Sequence, residues 1–274
     1  MSINPFDKLV VASRPPKPRD RGLTMIADWG LPLGLQNGLL SVSAPHVDLA
    51  KIAVGIAALL PTDTLKAKIA SYAENNILAF PGGQFLEYSV IHDNTEAYFE
   101  ACTAAGFPCI EVSDNLLEIE LDAKCALIEK AIRGHGLRVL GEVGKKEGLG
   151  ATGDLAEDAA RCLEAGAERV FLEAADFFSG EVNEEALQSI VDRCGTDPLI
   201  FELPGPWIEG VTQSDVHKMT RWLIDHFGSE VNVANVSPDN VLKLEALRLG
   251  IGVNAGGGEV GSEKAEVGEI KNQE

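Results

Sequence analysis

Short apolar segments alternate with longer amphipathic segments along most of this chain. The apolar segments predict eight strands, at Leu23–Ala27, Val47–Val54, Ile77–Phe80, Cys109–Val112, Arg138–Val143, Arg169–Glu173, Leu199–Glu202 and Val231–Ala234. Helical patterns follow most of them, over 62–75, 94–105, 122–135, 155–165, 183–194, 214–227 and 238–249. Strands that alternate with helices form parallel sheets, and eight such units predict an α/β fold, a single (β/α)8 TIM-type barrel.

The predicted barrel occupies residues 23–253 and forms one domain with two flanking segments. Residues 1–22 are rich in proline and arginine, and residues that precede proline avoid the helical region, so we predict an N-terminal extended arm. Residues 254–274 are acidic and glycine-rich, with almost no large side chains to bury. Such a segment cannot offset its ordering entropy, which predicts a flexible acidic C-terminal tail; an interaction tail is the alternative.

Carboxylates and amides stand at the ends of most predicted strands, where a barrel enzyme carries its catalytic groups. They are Asp28, Glu111, Glu142, Glu173, Glu202 and Asn235. Side chains alternate along a strand, so inward faces would bring the five carboxylates together at the barrel mouth. Like charges need a cation or shared protons to coexist there, and oxygen ligands without cysteine or histidine favour Mg²⁺. The alternative is that single carboxylates stabilise the starts of the following helices.

Other polar residues are candidates for binding an anion. Lys51 interrupts an otherwise apolar strand, so it is either paired with a neighbouring carboxylate or used on the substrate. Lys145 and Lys146 follow the fifth strand, a position suited to anion binding or proton transfer, although a solvated charge run has the same composition. Gly82 and Gly83 could expose amide groups as an anion nest or form only a turn. Arg19 belongs to an arm that could cover an anionic pocket or remain solvated.

The composition of the chain indicates which binding partners and which cellular compartment to expect. The formal charge of −19 argues against nucleic acid, and no apolar run has the length of a membrane span. The five cysteines form no C-x-x-C pair, and the first residues lack the pattern of a secretory signal. We therefore expect a cytoplasmic protein with reduced thiols that acts on small molecules, and any anionic substrate needs local cations.

Several segments resemble the phosphosulfolactate synthase family over about residues 14–250. They are KPRDRGLTMIADWGLP, VDLAKIAVG, FPGGQFLEYS, GFPCIEVSDN, GLRVLGEVGKK, AGAERVFLEA, LIFELP and VNVANVSPDNVLKLEALRLG. The resemblance implies a Mg²⁺-dependent barrel enzyme, oligomeric in some members, that adds sulfite to phosphoenolpyruvate at the start of coenzyme M biosynthesis. It implies a carbon–sulfur lyase and a homo-oligomer. By motif it makes Lys145 the proton donor and Lys51 a substrate contact, and we predict that these lysines and Glu142 form the catalytic set. The residue pattern adds Arg19, Lys146, Gly82, Gly83 and Asn235 as substrate-binding candidates.

Three loops differ from the family pattern. This chain has apolar residues over 53–57 where relatives carry a Gly-Trp-Gly-Thr-Ser-like stretch, no arginine after Glu173, and Pro-Gly-Pro-Trp over 204–207. A barrel usually binds phosphate after strands seven and eight, so these changes affect the predicted anion pocket. Two alternatives follow: a related barrel enzyme that acts on a different unsaturated or enol acid, and a non-catalytic stress-protective role, since plant relatives of the family are associated with heat-stress tolerance.

Overall fold

The computed structural model describes residues 5–6, 8–10, 12–144, 154–173, 184–205 and 207–253. Its strands are β1 (Thr24–Asp28), β2 (Leu49–Ile52), β3 (Leu78–Pro81), β4 (Cys109–Val112), β5 (Arg138–Val143), β6 (Arg169–Glu173), β7 (Leu199–Glu202) and β8 (Val233–Val236). Its α-helices are α1 (Leu33–Ser43), α2 (Thr62–Glu74), α3 (Gly83–Ile91), α4 (Thr95–Ala105), α5 (Leu121–His135), α6 (Leu155–Glu164), α7 (Glu184–Cys194), α8 (Gln213–Phe227) and α9 (Val241–Arg248).

All the paired strands run parallel, in the order β3-β2-β1-β8-β7-β6-β5-β4. The sheet curls until β3 and β4 lie side by side, which confirms the predicted TIM-type barrel. Helices α1 and α3 are additions to the prediction, and β8 begins two residues later than predicted, at Val233 rather than Val231. In the described part of the chain, none of the helices is long and apolar enough to cross a membrane.

The barrel interior is a packed core rather than a channel. Each strand contributes at least one buried apolar residue to it, among them Met25, Leu49, Phe80, Cys109, Leu140, Phe171, Ile200 and Ala234. The rings of Phe80 and Phe171 stack across it with their centroids 5.9 Å apart. A second, larger core fills the layer between the strands and the helices. Polar groups that point inward beyond this plug of side chains therefore lie above an apolar floor.

The N-terminal arm packs against the amino-terminal end of the barrel, opposite the end where barrel active sites lie. Lys17 donates to the backbone oxygens of Ala44 (3.1 Å), Val47 and Asn75 (2.9 Å). Arg14 lies 3.7 Å from Glu245 of α9, with both side chains buried. Residues 12–22 of the arm therefore pack at the base of the barrel. In this described part, the arm neither covers a pocket at the carboxyl-terminal end nor stays solvated, the two alternatives that the sequence left open.

Arg19 belongs to this base and not to a substrate site. Its Nε lies 3.0 Å from Asp48, just before β2, and it also donates to the backbone oxygen of Pro45. Asp48 in turn accepts a hydrogen bond from the amide of Thr24. The prediction of Arg19 as a substrate-binding residue is corrected on this ground, since its charge is already used by a buried carboxylate.

Replacing Arg19 by methionine is expected to lower the free energy of unfolding by about 3–5 kcal/mol, because Asp48 would stay buried without its cation. The side chains of Arg19 and Asp48 are only 2% and 8% exposed. Urea denaturation measures the loss, and the double variant Arg19→Met, Asp48→Asn should recover much of it. The KM of the folded fraction should not change; a large rise in KM would return Arg19 to the substrate site.

Candidate functional site

Four glutamates point into the carboxyl-terminal end of the barrel from four consecutive strands, β4 to β7. Each stands two residues after a member of the interior core, as Glu111 follows Cys109 and Glu202 follows Ile200. Side chains two apart on a strand share a face, so the predicted inward orientation of these strands is confirmed. All four are at most 1% exposed: Glu111, Glu142, Glu173 and Glu202.

Three of these carboxylates meet around the ammonium group of Lys51. Oxygens of Glu111, Glu142 and Glu202 lie within 4.8 Å of one another. The Lys51 Nζ is 2.7 Å from Glu111 Oε1 and 2.6 Å from Glu202 Oε1, and it also lies 4.7 Å from the centre of the Phe171 ring. The sequence left open whether Lys51 pairs with a carboxylate or binds the substrate. In the structure it forms ion pairs with two carboxylates, those of Glu111 and Glu202.

The cluster brings several acidic side chains together in a buried space. Like charges repel strongly there, and nearby cations stabilise them. Glu111, Glu142 and Glu202 offer hard oxygen ligands, the type that Mg²⁺ prefers. The donor set therefore fits a divalent cation.

Asp28 does not belong to the cluster. Its strand places Met25 inside the barrel, so Asp28 faces the helices, and the predicted inward face of β1 is wrong. Its carboxylate lies 2.7 Å from Lys68 Nζ and accepts hydrogen bonds from Tyr72 Oη (2.7 Å) and the amides of Gly30 (2.9 Å) and Leu31 (2.7 Å). Burial and this carboxylate raise the pKa of Tyr72 far above its ordinary value, so the phenol stays a donor. Asp28 is corrected from metal ligand to structural anchor.

Gly82 and Gly83 lie at the seam between β3 and β4. The amide of Gly82 donates to the backbone oxygen of Ile52 (2.9 Å), and that of Gly83 donates to Glu111 Oε2 (2.6 Å). Both amides are thus used within the protein, which argues against the predicted anion nest. The Gly83 bond instead orients Glu111 towards Lys51 and joins the two end strands of the sheet.

The site requires glycine at position 83 for steric reasons. A Cβ there would stand 2.2 Å from Ser113 Oγ and 3.1 Å from Glu111 Cγ. We expect Gly83→Ala to lower the free energy of unfolding by about 1–3 kcal/mol through overpacking. Gly38→Ala is the matched control: nothing lies within 4 Å of its Cβ, and alanine in a helix should stabilise by about 0.5–1 kcal/mol. Equal effects of the two changes in thermal or urea unfolding would contradict the steric argument.

Glu87 of α3 organises the loop that follows β4. This fully buried carboxylate accepts hydrogen bonds from Ser113 Oγ (2.5 Å) and from the amides of Leu116 (2.5 Å) and Leu117 (3.0 Å). The loop so fixed carries Asn115, whose Nδ2 donates to Glu142 Oε1 at 2.9 Å. Glu87 and Asn115 were not predicted as site residues, although Glu87 belongs to the distinctive PGG-x-x-x-EY segment.

Glu87→Ala should weaken turnover by roughly tenfold to a hundredfold, the range typical of residues that orient the ligands of a metal. The substitution removes the acceptor of two loop amides and so releases Asn115 from Glu142. Glu87→Gln keeps an acceptor oxygen in place and should retain most of the activity. Steady-state kinetics at varied concentrations of Mg²⁺, the ion that the donor set fits, separates the effects, because a general loss of folding would not be corrected by more of the ion.

A β-bulge in β8 directs Asn235 towards the carboxyl-terminal end of the barrel, where Lys51 and Glu111 lie. The pairing of β1 with β8 shifts between Thr24↔Val233 and Ile26↔Val236, so β8 has one extra residue there. Asn235 adopts a left-handed conformation with φ 57°, which asparagine tolerates better than most residues. The bulge lets Asn235 reach the pocket although its neighbour Ala234 also points inward.

These features surround one pocket of about 300 Å³ at the carboxyl-terminal end of the barrel. Of the predicted residues it brings together Lys51, Gly82, Gly83, Glu111 and Asn235. Its lining also includes Trp29, Asn115, Leu116, Trp207 and Ile208, all of them in loops and none of them predicted. Lys145, Lys146, the run 174–178, Pro206 and the tail 254–274 lie outside the described residues, so those predictions stand as they were made.

Comparison with known proteins gives a consistent set of relatives. The model of the family described as (2R)-phospho-3-sulfolactate synthase (ComA) matches residues 12–254. A phosphosulfolactate synthase of Methanothermobacter thermautotrophicus is 31% identical over 261 residues, which cover 91% of this chain and 96% of that protein. That of Bacillus subtilis is 29% identical, covering 91% and 97%. The protein HEAT-STRESS-ASSOCIATED 32 of Arabidopsis thaliana is 26% identical, covering 86% and 88%.

Solved structures support the fold. A 3-hexulose-6-phosphate synthase aligns with a TM-score of 0.50 and 16% identity, covering 82% of this chain and 97% of that one. N-acetylneuraminate lyase of Mycoplasma synoviae aligns with a TM-score of 0.51 and 12% identity, covering 81% and 72%. At such low identity these alignments concern the barrel architecture alone, since one barrel supports many chemistries.

Proposed function

The chain belongs to the (2R)-phospho-3-sulfolactate synthase family, and from this premise we propose that it is a carbon–sulfur lyase that adds sulfite to phosphoenolpyruvate with the help of Mg²⁺. The observation that carries the proposal is the buried cluster in which oxygens of Glu111, Glu142 and Glu202 lie within 4.8 Å of one another around Lys51. Burying such a charged cluster costs stability, so its presence favours a chemical role.

In the proposed reaction the lone pair of the sulfite sulfur forms a bond to the methylene carbon of phosphoenolpyruvate. The carbon–carbon double bond opens towards the carboxylate, and a proton is added to the adjacent carbon; no group leaves. Glu111, Glu142 and Glu202 would hold the Mg²⁺ ion. When bound, the ion supplies Lewis-acid stabilisation of the charge that develops on the carboxylate.

The protein's own groups have separate tasks in this proposal. Lys51, which lines the pocket, contributes a positive charge near the acceptor's carboxylate, and Glu111 and Glu202 fix its position. Asn115 holds Glu142 in place, and the amide of Asn235 is available to bind an anionic oxygen. Lys145, the residue after Gly144 in the sequence segment that resembles the family, is proposed as the proton donor.

The direct test is to incubate the protein with phosphoenolpyruvate, sulfite and Mg²⁺ and to follow ³¹P NMR. A new phosphate-ester signal that requires all three components and disappears with EDTA is the expected result. If the folded protein binds Mg²⁺ but produces no such signal, the assignment of this substrate pair is wrong. A variant Lys145→Ala that keeps full turnover would contradict the proposed proton donor alone.

A non-catalytic role is the second candidate, because one relative is named for heat stress. Protection of other proteins needs neither the carboxylate cluster nor a metal. If the chain is protective only, Glu142→Gln should leave protection of a heat-labile reporter protein from aggregation unchanged, whereas an enzyme should lose turnover on the same change.

A further inference from the structure

Lys124 is a buried cation next to the carboxylate cluster, and the proposed reaction gives it no role. It lies in the first half of α5, and its side chain is only 3% exposed. Its Nζ is 2.8 Å from Asp114 Oδ1 and donates to the backbone oxygen of Glu142. A buried ammonium is costly unless it is paired, and both partners of this one lie at the carboxyl-terminal ends of neighbouring strands, β4 and β5.

The contacts of Lys124 close a ring that includes Glu142. Asp114 is followed by Asn115, whose Nδ2 donates to Glu142 Oε1 at 2.9 Å, and Lys124 joins Asp114 to the backbone of Glu142. Glu142 is thus held at two points, its carboxylate by Asn115 and its carbonyl oxygen by Lys124. Because a side chain keeps its direction only when its backbone is also fixed, the ring restrains both the position and the direction of this carboxylate.

The strand pairing shows what the bond from Lys124 adds. The register between β4 and β5 ends at Val112↔Gly141, one residue before Glu142. Glu142 therefore lies just beyond the part of β5 that β4 holds in place. Lys124 reaches this point from α5 and, through Asp114, ties it to the loop that follows β4.

The charge of Lys124 strengthens both contacts. Burial lowers the pKa of a lysine, but the neighbouring Cys162 and Asp114 more than offset this effect and raise the pKa of Lys124 above its ordinary value. The side chain therefore stays an ammonium group at neutral pH. Hydrogen bonds from a charged donor are roughly twice as strong as those between neutral groups, so the ring is well suited to hold a strand end in place.

We propose that Lys124 is a positioning residue of the metal site. By tying the end of β5 to the loop after β4, it holds the Glu142 carboxylate where it can share a divalent cation with the other two carboxylates of the cluster. This inference rests on the proposed function for the role of Glu142 as a metal ligand, and it is independent of the substrate pair. Ligand oxygens must keep a defined geometry around a metal, and residues that orient them commonly change its affinity.

The affinity for Mg²⁺, measured by calorimetric titration of the full chain without substrates, tests this proposal. Lys124→Met should weaken Mg²⁺ binding by roughly tenfold to a hundredfold. Lys130→Met is the matched control and should leave the affinity unchanged, because Lys130 lies on the same helix but is 47% exposed and pairs with Glu96.

Asp114→Ala provides a second test, should Lys124→Met fail to fold. The Asp114 side chain is 20% exposed, so its removal leaves less uncompensated charge in the interior. The variant should weaken Mg²⁺ binding in the same direction but by less, since Lys124 keeps its bond to Glu142.

Unchanged Mg²⁺ affinity in the folded variants would overturn the proposal, even if urea denaturation showed that they are less stable. An original protein that binds no Mg²⁺ would overturn it as well. The result is separable from that of the NMR experiment. Weaker Mg²⁺ binding by the variants, without turnover of phosphoenolpyruvate by the original protein, supports the positioning role and contradicts the substrate pair. Turnover with unchanged affinities supports the proposed function alone.

Discussion

Lys51→Met is expected to lower the free energy of unfolding by about 3–5 kcal/mol and to abolish measurable turnover. The lysine Nζ is 2.7 Å from Glu111 and 2.6 Å from Glu202, so its loss would leave two buried carboxylates facing each other without the cation that joins them. Urea denaturation monitored by circular dichroism measures the change in the free energy of unfolding.

Two controls separate charge from packing in this result. The double variant Lys51→Met, Glu202→Gln should be more stable than Lys51→Met alone, because one of the uncompensated charges is removed. Added Mg²⁺ should also stabilise the single variant more than the original protein, since the cluster then lacks its own cation. A Lys51→Met protein as stable as the original would show that the cluster does not bury the charges that the geometry implies.

Glu142→Gln should reduce turnover by roughly a hundredfold or more while leaving the fold intact. Metal-based charge stabilisation contributes several kcal/mol to a transition state, and each 1.4 kcal/mol or so corresponds to about tenfold in rate. The amide can still accept the hydrogen bond from Asn115 but no longer supplies a charged ligand.

Calorimetric titration should show that Glu142→Gln binds Mg²⁺ more weakly than the original protein. This loss of affinity should accompany the loss of turnover. Glu164→Gln, at the exposed end of α6, is the matched control and should alter neither property. Full activity of the Glu142 variant would remove it from the catalytic set and, with it, the assignment of the cluster as the metal site.

The four inward glutamates could be predicted because each follows an apolar residue by two positions at the end of a strand. The same reasoning failed for Asp28, although the spacing of Thr24, Ile26 and Asp28 looks equivalent. Both faces of a barrel strand are buried, one in the interior and the other beneath helices, so alternation of side chains does not show which face points inward. The inward position of Met25 and the contacts of Asp28 with Lys68 and Tyr72 show its direction.

The residues that sequence reasoning missed belong to loops or to long-range contacts. Trp29, Asn115 and Trp207 have no periodic signal. Loop positions of this kind depend on distant anchors such as Glu87, which lies 29 and 30 residues from the two amides that it fixes. Helix α3 was missed because Pro81-Gly82-Gly83 is typical of a turn, yet here Gly82 directly precedes the helix and Gly83 begins it. The bulge at Asn235 likewise arises from the way β1 and β8 are paired.

The closed base of the barrel has a consequence for synthesis on the ribosome. Arg14 of the arm contacts Glu245, and β1, the first strand, pairs with β8, the last. Glu245 and β8 therefore emerge from the exit tunnel only after almost the whole barrel has been translated. Until then Arg14 lacks its partner carboxylate and one edge of β1 stays unpaired, which exposes the nascent chain to aggregation.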